Sequence, residues 1–280
     1  MKHIFFGSGS VGQRHLVNLR TLRPDAEIVI IDPALPSASA DYPYPEKAKD
    51  LLGGNAVYIC SPTELHYHHF CIAVGYDACA IFVEKPLFDK KRASFLQTKT
   101  LPRISVGYNY RYHPLFRHIK ETLVKRLIYL HIYGSESIQR KYGVTPLETM
   151  LSHSIDLALW INGSAKVSTV HDGGITTMVG IRHTNDSTSF LHADMAASFR
   201  VATCTALLRT EDTQVLIDRD DSLVVQGGME RYHSFIEPND QMYLDEMQAW
   251  LHYLDTGESG DLCTFEQAMR VQEVMRGKYD

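Results

Sequence analysis

A glycine-rich turn constrains the fold of this chain more than any other feature. It directly follows the short, largely apolar run HIFF at residues 3–6 and precedes a stretch with helical character. The turn has the spacing GxGxxG and consists of Gly7, Ser8, Gly9, Ser10, Val11 and Gly12. In a strand–turn–helix unit the first glycine permits a tight turn, the second lets the backbone approach a pyrophosphate, and the third allows close packing of helix and strand. The amides of the helix N-terminus then face the anion, so the turn predicts a dinucleotide site.

An acidic residue stands at the expected distance from this turn. Asp32 ends the second apolar run, AEIVIID, twenty residues beyond Gly12 (32 − 12). A carboxylate in this position accepts hydrogen bonds from the ribose diol of NAD and repels the 2′-phosphate of NADP. A plain turn with a strand-end cap is the alternative, but the combined spacing favours the nucleotide site. Because Pro33, Ala34 and Leu35 offer no positive charge for a phosphate, the sequence predicts NAD in preference to NADP.

Short apolar runs alternate with helical stretches through the first hundred residues. The runs lie at 4–6, 28–31, 56–60, 79–83 and 104–106, and the helical stretches at 11–22, 64–74 and 90–99. Strands covered by helices on both faces lose the alternation of polar and apolar residues, and these runs are continuous. The pattern predicts a doubly wound parallel α/β sheet, a Rossmann domain, over residues 1–114. The segment 33–55 is too short and proline-rich for a full strand–helix unit.

The second half of the chain has a different pattern. Runs such as LIYLHIYGS, TTMVGIRHT and TQVLIDR indicate half-buried strands joined by short polar turns. Helices are predicted at about 115–126, 146–161, 240–255 and 264–277, and two of them carry capping boxes, Thr145 with Glu148 and Thr264 with Gln267. Residues 115–280 are therefore predicted to form an α+β domain with an open, mainly antiparallel sheet. Its closing helices are able to pack back on the first domain.

The amino-acid composition limits the classes of binding partner that we expect. The chain has 280 residues, with 28 basic and 33 acidic side chains and a formal net charge of −5. Nucleic acid and anionic membranes both reward clustered lysine and arginine, so this balance argues against them and favours a small molecule. No segment approaches the about 18 apolar residues that a membrane helix needs.

Cysteine and histidine usage indicates neither disulfides nor a metal. The cysteines are odd in number and lack CxxC spacing: Cys60, Cys71, Cys79, Cys204 and Cys263. Consecutive histidines on a helix diverge in direction, so the run at 66–69, HYHH, predicts no metal site. These observations favour a reducing compartment, and we expect a cytoplasmic protein.

The fourth apolar run ends in Glu84, Lys85 and Pro86. This places a carboxylate and an ammonium at the carboxyl edge of the predicted sheet, where ligands of open α/β folds bind. A lysine in a partly desolvated cleft can hydrogen-bond a substrate hydroxyl and help to carry its proton. A surface ion pair is the alternative interpretation of these residues taken alone.

Five segments together resemble the Gfo/Idh/MocA family of oxidoreductases, the relatives of glucose-fructose oxidoreductase and inositol dehydrogenase. They are GSGSVG at 7–12, CSPTELH at 60–66, FVEKPL at 82–87, GYNYRYHP at 107–114 and SHSIDLALWING at 152–163. The segments YLDEMQAWLHYL and EQAMRVQEVM are similar to the family's final helices, so the resemblance extends over most of the chain. It implies a Rossmann domain followed by an α+β domain whose sheet carries the substrate cleft and often an oligomer interface.

The resemblance also implies residue roles. Lys85 looks like the family lysine beside substrate and nicotinamide, with Glu84 next to it, and His153 looks like a proton-transfer histidine. Asn109 and Arg111 lie in the segment that re-enters the cleft and are predicted to bind substrate. The loop beside the cofactor corresponds to Ser61, Pro62, Thr63 and His66. Independently, a helix would place His153, Asp156 and Trp160 on one face at i, i+3 and i+7, so Asp156 is also predicted at the substrate.

One departure from the family pattern bears on catalysis. Many relatives carry an aspartate four residues before the histidine, whereas this chain has Thr149 there, between Glu148 and Met150. We predict an NAD-dependent oxidoreductase acting on a secondary alcohol or ketone of a sugar, amino sugar, nucleotide sugar or inositol, as a homodimer or homotetramer. Thr149 keeps open a catalytically impaired sensor or regulatory protein of the same fold. A redox-neutral enzyme with tightly held NAD is a third possibility.

Overall fold

A computed structural model describes residues 1–35, 41–88, 101–122, 127–135, 145–197, 203–209, 213–218, 221–226, 229–234 and 241–277. The chain forms two compact units. The first comprises residues 1–112 and 239–269, and the second comprises 113–238 and 270–280. The predicted boundary at 114/115 differs from this division in that 239–269, which include one closing helix, belong to the first unit.

Six α-helices lie in the described residues. They are α1 (Ser10–Leu22), α2 (Thr63–Gly75), α3 (Pro114–Thr122), α4 (Ser152–Asn162), α5 (Gln241–Thr256) and α6 (Phe265–Met275). The helices predicted near 11–22, 64–74, 240–255 and 264–277 are confirmed. The helix predicted at 90–99 lies outside the described residues.

The first unit contains a six-stranded sheet. Its strands are β1 (His3–Phe6), β2 (Ile28–Ile31), β3 (Ala56–Ile59), β4 (Ala80–Glu84), β5 (Arg103–Gly107) and the two-residue β14 (Cys263–Thr264). The order is β14-β5-β4-β3-β1-β2, and every pair is parallel except β14 with β5. The predicted doubly wound parallel sheet is confirmed. Its order reverses between β1 and β3, which defines the switch point where such folds bind ligands.

Aromatic side chains fill one face of this sheet. Phe5 and Tyr58 stack with ring centroids 4.3 Å apart, and the fully buried Trp250 of α5 meets Tyr58 edge-on at 6.2 Å. Leu16 and Leu19 of α1 join the same cluster. Because α1 and α5 cover this face together, α5 belongs to the core of the first unit although it begins 134 positions after the end of β5 (241 − 107 = 134).

The connection from β2 to β3 contains no α-helix within its described residues. Two short 3-10 turns, Pro45–Lys47 and Lys49–Leu51, take the place of the usual helix. Asp41 holds the connection against β2, because its Oδ2 accepts a hydrogen bond of 2.7 Å from the amide of Ile30. The connection between β2 and β3, which follows Asp32, is therefore shorter than a connection that contains a full helix, as the sequence indicated.

The second unit contains an eight-stranded sheet in the order β13-β12-β11-β10-β6-β9-β8-β7. The strands are β6 (Leu127–Ser135), β7 (Ala165–Asp172), β8 (Thr176–His183), β9 (Thr188–Ala197), β10 (Thr203–Arg209), β11 (Thr213–Asp218), β12 (Asp221–Gln226) and β13 (Met229–Ser234). All pairs are antiparallel except β6 with β9, so the mainly antiparallel sheet is confirmed. The sequence patterns missed β7 and β13, whose polar residues hide the alternation.

Both capping boxes are present. Glu148 Oε2 accepts from the Thr145 amide at 3.3 Å, and Thr145 Oγ1 accepts from the Glu148 amide at 3.3 Å. Thr264 and Gln267 make the equivalent pair at 3.2 and 3.4 Å. The continuous α-helix predicted over 146–161 is wrong in its first part, because Leu147–Leu151 form a π-helical turn before α4. Ser152 Oγ donates to the Glu148 carbonyl at 2.9 Å at the junction.

Buried histidines predict a loss of stability in acid. Burial lowers the pKa of His3 and of His69 to about 4, whereas an unfolded histidine titrates near about 6.5. Unfolding therefore takes up protons between these values, and stability present above pH 6.5 is lost as the pH falls toward 4. We expect the free energy of unfolding to drop by about 2–3 kcal/mol for each of the two residues between about pH 7.5 and 4.5.

Urea unfolding at both pH values measures this loss. His3 Nδ1 contacts the Tyr58 hydroxyl at 2.7 Å, and His3→Gln keeps a polar partner there without titrating in this range. The variant should lose about 2–3 kcal/mol less than the parent between the two pH values. An equal loss in both proteins would contradict the assignment.

Neither a membrane-spanning helix nor a metal-binding group of side chains occurs among the described residues. No helix among them has the length and apolar character needed to cross a membrane. No group of three or more His, Cys, Asp or Glu side chains among them is arranged to hold a metal ion.

Candidate active site

The register of the parallel strands gathers the predicted site residues of the first unit at one edge. Phe6 pairs with both Ile31 and Ile59, and Ile59 pairs with Val83. The strands therefore end level with one another. The glycine turn, Asp32, Ser61 and Lys85 all follow these carboxyl ends, where open α/β sheets bind their ligands.

Backbone contacts explain two of the three glycines. Gly7 has φ +94°, and a Cβ at this residue would lie 2.8 Å from the Cys60 carbonyl oxygen. A Cβ on Gly12 would lie 2.5 Å from the Gly7 carbonyl oxygen. Both clashes are with backbone, which cannot move aside as a flexible side chain can. These positions require glycine for the fold itself, whether or not a ligand is present.

The middle glycine is different. A Cβ on Gly9 would meet no atom within 4 Å, so nothing in the protein requires a glycine there. Gly9 is also the N-cap of α1, and within residues 1–35 no side chain caps this helix and no acidic residue lies in its first turn. The first amides of a helix lack intrahelical partners and attract anions. Open space above an uncapped helix N-terminus fits a pyrophosphate group.

Asp32 stands beside the turn. Its Oδ2 accepts hydrogen bonds from the Ser8 amide at 2.8 Å and from Ser8 Oγ at 3.0 Å, and its Oδ1 accepts from the Ala34 amide at 2.9 Å. The side chain is partly exposed. An ionised carboxylate has about four acceptor sites, so these three bonds leave one site for a ribose hydroxyl.

Ser61 and Pro62 lie in the loop from β3 to α2, and Thr63 is the first residue of α2. Ser61 and Thr63 are partly exposed and Pro62 is exposed, as expected for residues beside a bound cofactor. The Ser61 hydroxyl contacts His69 Nδ1 at 2.9 Å. Burial lowers the pKa of His69, which keeps this imidazole neutral at pH 7.

His66, predicted to bind the cofactor, is buried instead. Only 1% of the residue is exposed. Its Nδ1 contacts the Pro86 carbonyl oxygen at 2.8 Å and its Nε2 contacts the Ser61 carbonyl oxygen at 2.8 Å. Burial lowers its pKa, although both carbonyl contacts act in the opposite direction. The ring lies between the loop after β3 and the turn after β4 and contacts both, and its role beside a cofactor stays a prediction.

Glu84 is also directed into the fold. Its Oε1 lies 2.6 Å from Nε2 of the fully buried His15, and its Oε2 accepts from the Lys85 amide at 3.3 Å. A Cβ on Gly107 would lie 2.9 Å from the same carboxylate. These contacts hold the end of β4, and the predicted place of Glu84 beside the cofactor stays a prediction.

Lys85 is the first residue beyond β4, and it is partly exposed. Burial of its ammonium group lowers the pKa of Lys85 from the ordinary 10.5, and the carboxylate of Glu84 opposes this shift. A lysine with a lowered pKa can accept and release a proton nearer to neutral pH. Among the predicted site residues of the first unit, Lys85 is therefore the one best suited to transfer a proton.

Asn109 and Arg111 lie in a 3-10 turn, Asn109–Tyr112, directly after β5. Both are buried, with 3% and 2% of each residue exposed. Arg111 Nη1 donates to Gln267 Oε1 at 2.8 Å and to the Leu262 carbonyl oxygen at 3.3 Å. These contacts connect the turn to the closing segment, and substrate binding by Asn109 and Arg111 stays a prediction.

His153 and Asp156 lie in the second unit, in the first turns of α4. His153 is half-buried, and Asp156 has 1% of its surface exposed. On the same helix, the ring of Trp160 lies 3.9 Å from Lys120 Nζ of α3. The helix places His153, Asp156 and Trp160 on one face, as predicted. The backbone of Thr149 lies in the π-helical turn just before this helix.

Sequence reasoning missed His15. The buried face of α1 consists of Gly12, His15, Leu16 and Leu19, which follow helical spacing. A polar residue on such a face requires a buried partner. In the structure this partner is Glu84, at the end of β4. The periodicity of α1 thus contained the signal, but only the structure identified the partner.

Comparisons with known proteins extend this description to the whole chain. The sequence matches no protein family model, and no curated protein matches it. Solved structures do match. Levoglucosan dehydrogenase in complex with NADH is 16% identical with a TM-score of 0.81, covering 99% of this chain and 95% of the other. The chain has the fold of this dehydrogenase.

Two further structures agree. UDP-N-acetylglucosamine 3-dehydrogenase from Acidithiobacillus ferrooxidans is 14% identical with a TM-score of 0.80, covering 100% of this chain and 97% of the other. An oxidoreductase from Agrobacterium radiobacter, in complex with NAD⁺, L-tartaric acid and magnesium, is 13% identical with a TM-score of 0.80, covering 98% and 94%. Because the matches cover both units, the two-domain fold implied by the Gfo/Idh/MocA resemblance is confirmed.

Proposed function

We propose that this protein is an NAD-dependent oxidoreductase acting on a secondary alcohol, or the corresponding ketone, of a sugar, amino sugar, nucleotide sugar or inositol. The observation that carries the proposal is the arrangement of one sheet edge. An open, uncapped helix N-terminus at Gly9, an acidic residue at Asp32 and a lysine with a lowered pKa at Lys85 follow the carboxyl ends of β1, β2 and β4.

The solved structures support the same chemistry. Levoglucosan dehydrogenase was determined with NADH and with L-sorbose, and another match is a dehydrogenase of UDP-N-acetylglucosamine. These are sugars or sugar derivatives carrying secondary hydroxyl groups. The low identity leaves the choice among such substrates to experiment.

The residues present fit NAD. The turn at 7–12 would hold the pyrophosphate and Asp32 the adenosine ribose, beside the loop at Ser61. When bound, the nicotinamide supplies the acceptor for a hydride from the carbinol carbon. Lys85 in its neutral form accepts the hydroxyl proton during oxidation, and its ammonium returns a proton during reduction. We propose His153 as a second proton-transfer group and Asn109 and Asp156 as substrate contacts.

Asp32→Asn should weaken NAD binding by about tenfold, since the carboxylate would lose its charged hydrogen bonds to the ribose (about 1.4 kcal/mol). The same variant removes the charge that repels a 2′-phosphate, so the preference for NAD over NADP should fall. Isothermal titration with both cofactors measures the two dissociation constants. Asp41→Asn, which changes a carboxylate that accepts from the Ile30 amide, serves as the control. Unchanged constants for Asp32→Asn would show that the ribose lies elsewhere.

A screen for NADH formation tests the proposed function. Purified protein is incubated with NAD⁺ or NADP⁺ and with nucleotide sugars, free sugars, anhydrosugars and inositols. We expect NADH formation with members of one of these classes. Cofactor binding with saturable sugar binding but no NADH would instead favour a sensor of the same fold. Product formation on copurified NAD without net NADH would indicate a redox-neutral enzyme. Absence of dinucleotide binding would reject all three.

We also propose that the protein forms a homodimer or homotetramer. Phe190 and Met178 are exposed large apolar residues, 51% and 50% exposed, and lie on neighbouring strands of the second sheet. Apolar side chains clustered on an exposed sheet face are typical of interaction surfaces. A reducing, cytoplasmic location remains a prediction from cysteine usage, and none of the four cysteines whose side chains are described forms a disulfide.

A further inference from the structure

Two buried histidines contact the residues on either side of Lys85. His15 of α1 contacts the Glu84 carboxylate, and His66 of α2 contacts the Pro86 carbonyl oxygen. The two residues are 0% and 1% exposed. Neither ring therefore reaches a bound substrate, and each comes from a different helix.

The first contact continues into the backbone of Lys85. Because an ionised carboxylate only accepts hydrogen bonds, His15 Nε2 is the donor in the 2.6 Å contact with Glu84 Oε1. The other oxygen, Oε2, accepts from the Lys85 amide at 3.3 Å. The imidazole itself is fixed between two aromatic rings, Phe82 at 5.0 Å and Tyr243 at 5.7 Å between centroids. Thus α1 is connected to Lys85 through one carboxylate.

The second histidine, His66, contacts the residue that follows Lys85. His66 Nδ1 and Nε2 lie 2.8 Å from the Pro86 and Ser61 carbonyl oxygens. A neutral imidazole has one N–H, so the ring donates to one of these carbonyl oxygens and packs against the other, between the loop after β3 and the turn after β4. Together the two histidines hold the backbone on both sides of Lys85, His15 through Glu84 and His66 through Pro86.

We propose that His15 and His66 are positioning residues that hold Lys85 for proton transfer, and that His15 ties this position to the helix of the pyrophosphate turn. The inference rests on the proposed function, in which Lys85 exchanges a proton with the substrate. A lysine has a flexible side chain, so the direction in which its ammonium is presented depends on how firmly its backbone is held. Misplacement of a catalytic group by about 1 Å can cost about 10²-fold in rate.

Paired variants separate positioning from folding. His15→Leu and His66→Leu should each lower kcat by about 10- to 100-fold, while KM and the dissociation constant of NAD change by less than about threefold. His15→Gln retains an N–H donor for Glu84 and should recover most of the loss. His68→Leu is the matched control, since His68 lies on the same helix as His66 but is exposed and contacts Glu46 at 3.0 Å. It should behave as the parent does.

A second measurement does not depend on turnover. Competitive acetylation of the full chain, followed by mass spectrometry over a pH series, reports the pKa and accessibility of Lys85. In the parent protein Lys85 should titrate below the ordinary pKa of 10.5, because burial lowers the pKa of Lys85. In the two leucine variants the titration of Lys85 should move toward its ordinary range. If a leucine variant does not fold, His15→Asn and His66→Asn, whose shorter polar side chains do not reach Glu84 and Pro86, are measured by the same acetylation and decide the matter.

The outcomes are distinguishable. A parent protein that binds no dinucleotide overturns the proposed function, whereas the acetylation profile still tests whether the histidines position Lys85. Unchanged kcat and an unchanged Lys85 profile in the variants overturn the positioning role. A lower kcat with an unchanged Lys85 profile also overturns it, because the loss would then reflect general destabilisation.

Discussion

Lys85→Met should lower kcat for the oxidation of a secondary alcohol by about 10²- to 10⁴-fold, the range typical of a lost general acid–base group. Methionine fills a similar volume but cannot accept a proton. The dissociation constant of NAD should stay within about threefold, because the turn at 7–12 and Asp32 are unaffected. Steady-state kinetics and titration calorimetry measure the two effects.

The pH profile sharpens this prediction. In the direction of oxidation Lys85 must be neutral, so kcat/KM should rise with pH through a pKa below the ordinary 10.5, because burial lowers the pKa of Lys85. In the direction of reduction the ammonium is the active form, so the rate should fall over the same range. Lys85→Met should remove this dependence from both directions.

Lys2→Met is the matched control. Lys2 precedes β1 at the opposite edge of the sheet, where its ammonium pairs with Glu27 at 2.5 Å. Its loss should leave kcat and the pH profile unchanged. If Lys85→Met retained the profile of the parent, the proton-transfer role would pass to His153, and His153→Asn would then be expected to abolish the pH dependence.

Substitutions at two glycines of the same turn should have opposite consequences. Gly12→Ala should lower the free energy of unfolding by about 1–3 kcal/mol, because its Cβ would overlap backbone that cannot move aside. Gly9→Ala should change stability by less than about 1 kcal/mol, since its Cβ would meet open space and its φ of −63° suits alanine.

For cofactor binding we expect the larger effect from Gly9→Ala. Gly9→Ala should weaken NAD binding by at least about tenfold, because the added methyl group would occupy the space assigned to the pyrophosphate (about 1.4 kcal/mol). Urea unfolding and calorimetric titration of both variants measure stability and affinity separately. A stable Gly9→Ala variant with parental affinity for NAD would place the pyrophosphate outside this turn. A Gly12→Ala variant as stable as the parent would contradict the packing described for α1.

Local patterns in the sequence predicted the elements around the site well. The GxGxxG spacing, the continuous apolar runs and the two capping boxes are each determined by residues close together in the chain. For this reason β1, α1 and the capped starts of the helices are recognisable without a structure. The π-helical turn at Leu147–Leu151 is not, because capping signals the start of a helix but does not distinguish a π-turn from an α-turn.

The roles of Glu84, His66 and Arg111 were less predictable. Each lies in a segment that resembles a family motif, and the motif associates all of them with ligands. The structure buries all three side chains and shows protein partners for each of them that the motifs did not predict. Motif membership identified the right region, but the direction of a side chain depends on neighbours that are remote in sequence.

The sequence by itself determined the parallel α/β class of the first unit, the glycine turn, the acid at Asp32 and the lysine that leaves β4. These follow from spacing and periodicity, which are properties of contiguous residues. Only the tertiary structure decided that α5 completes the first unit and that His15 and His66 support the residues flanking Lys85. The contacts of the two histidines join positions 20 and 69 residues apart. The local sequence of one segment does not determine which distant side chain packs against it.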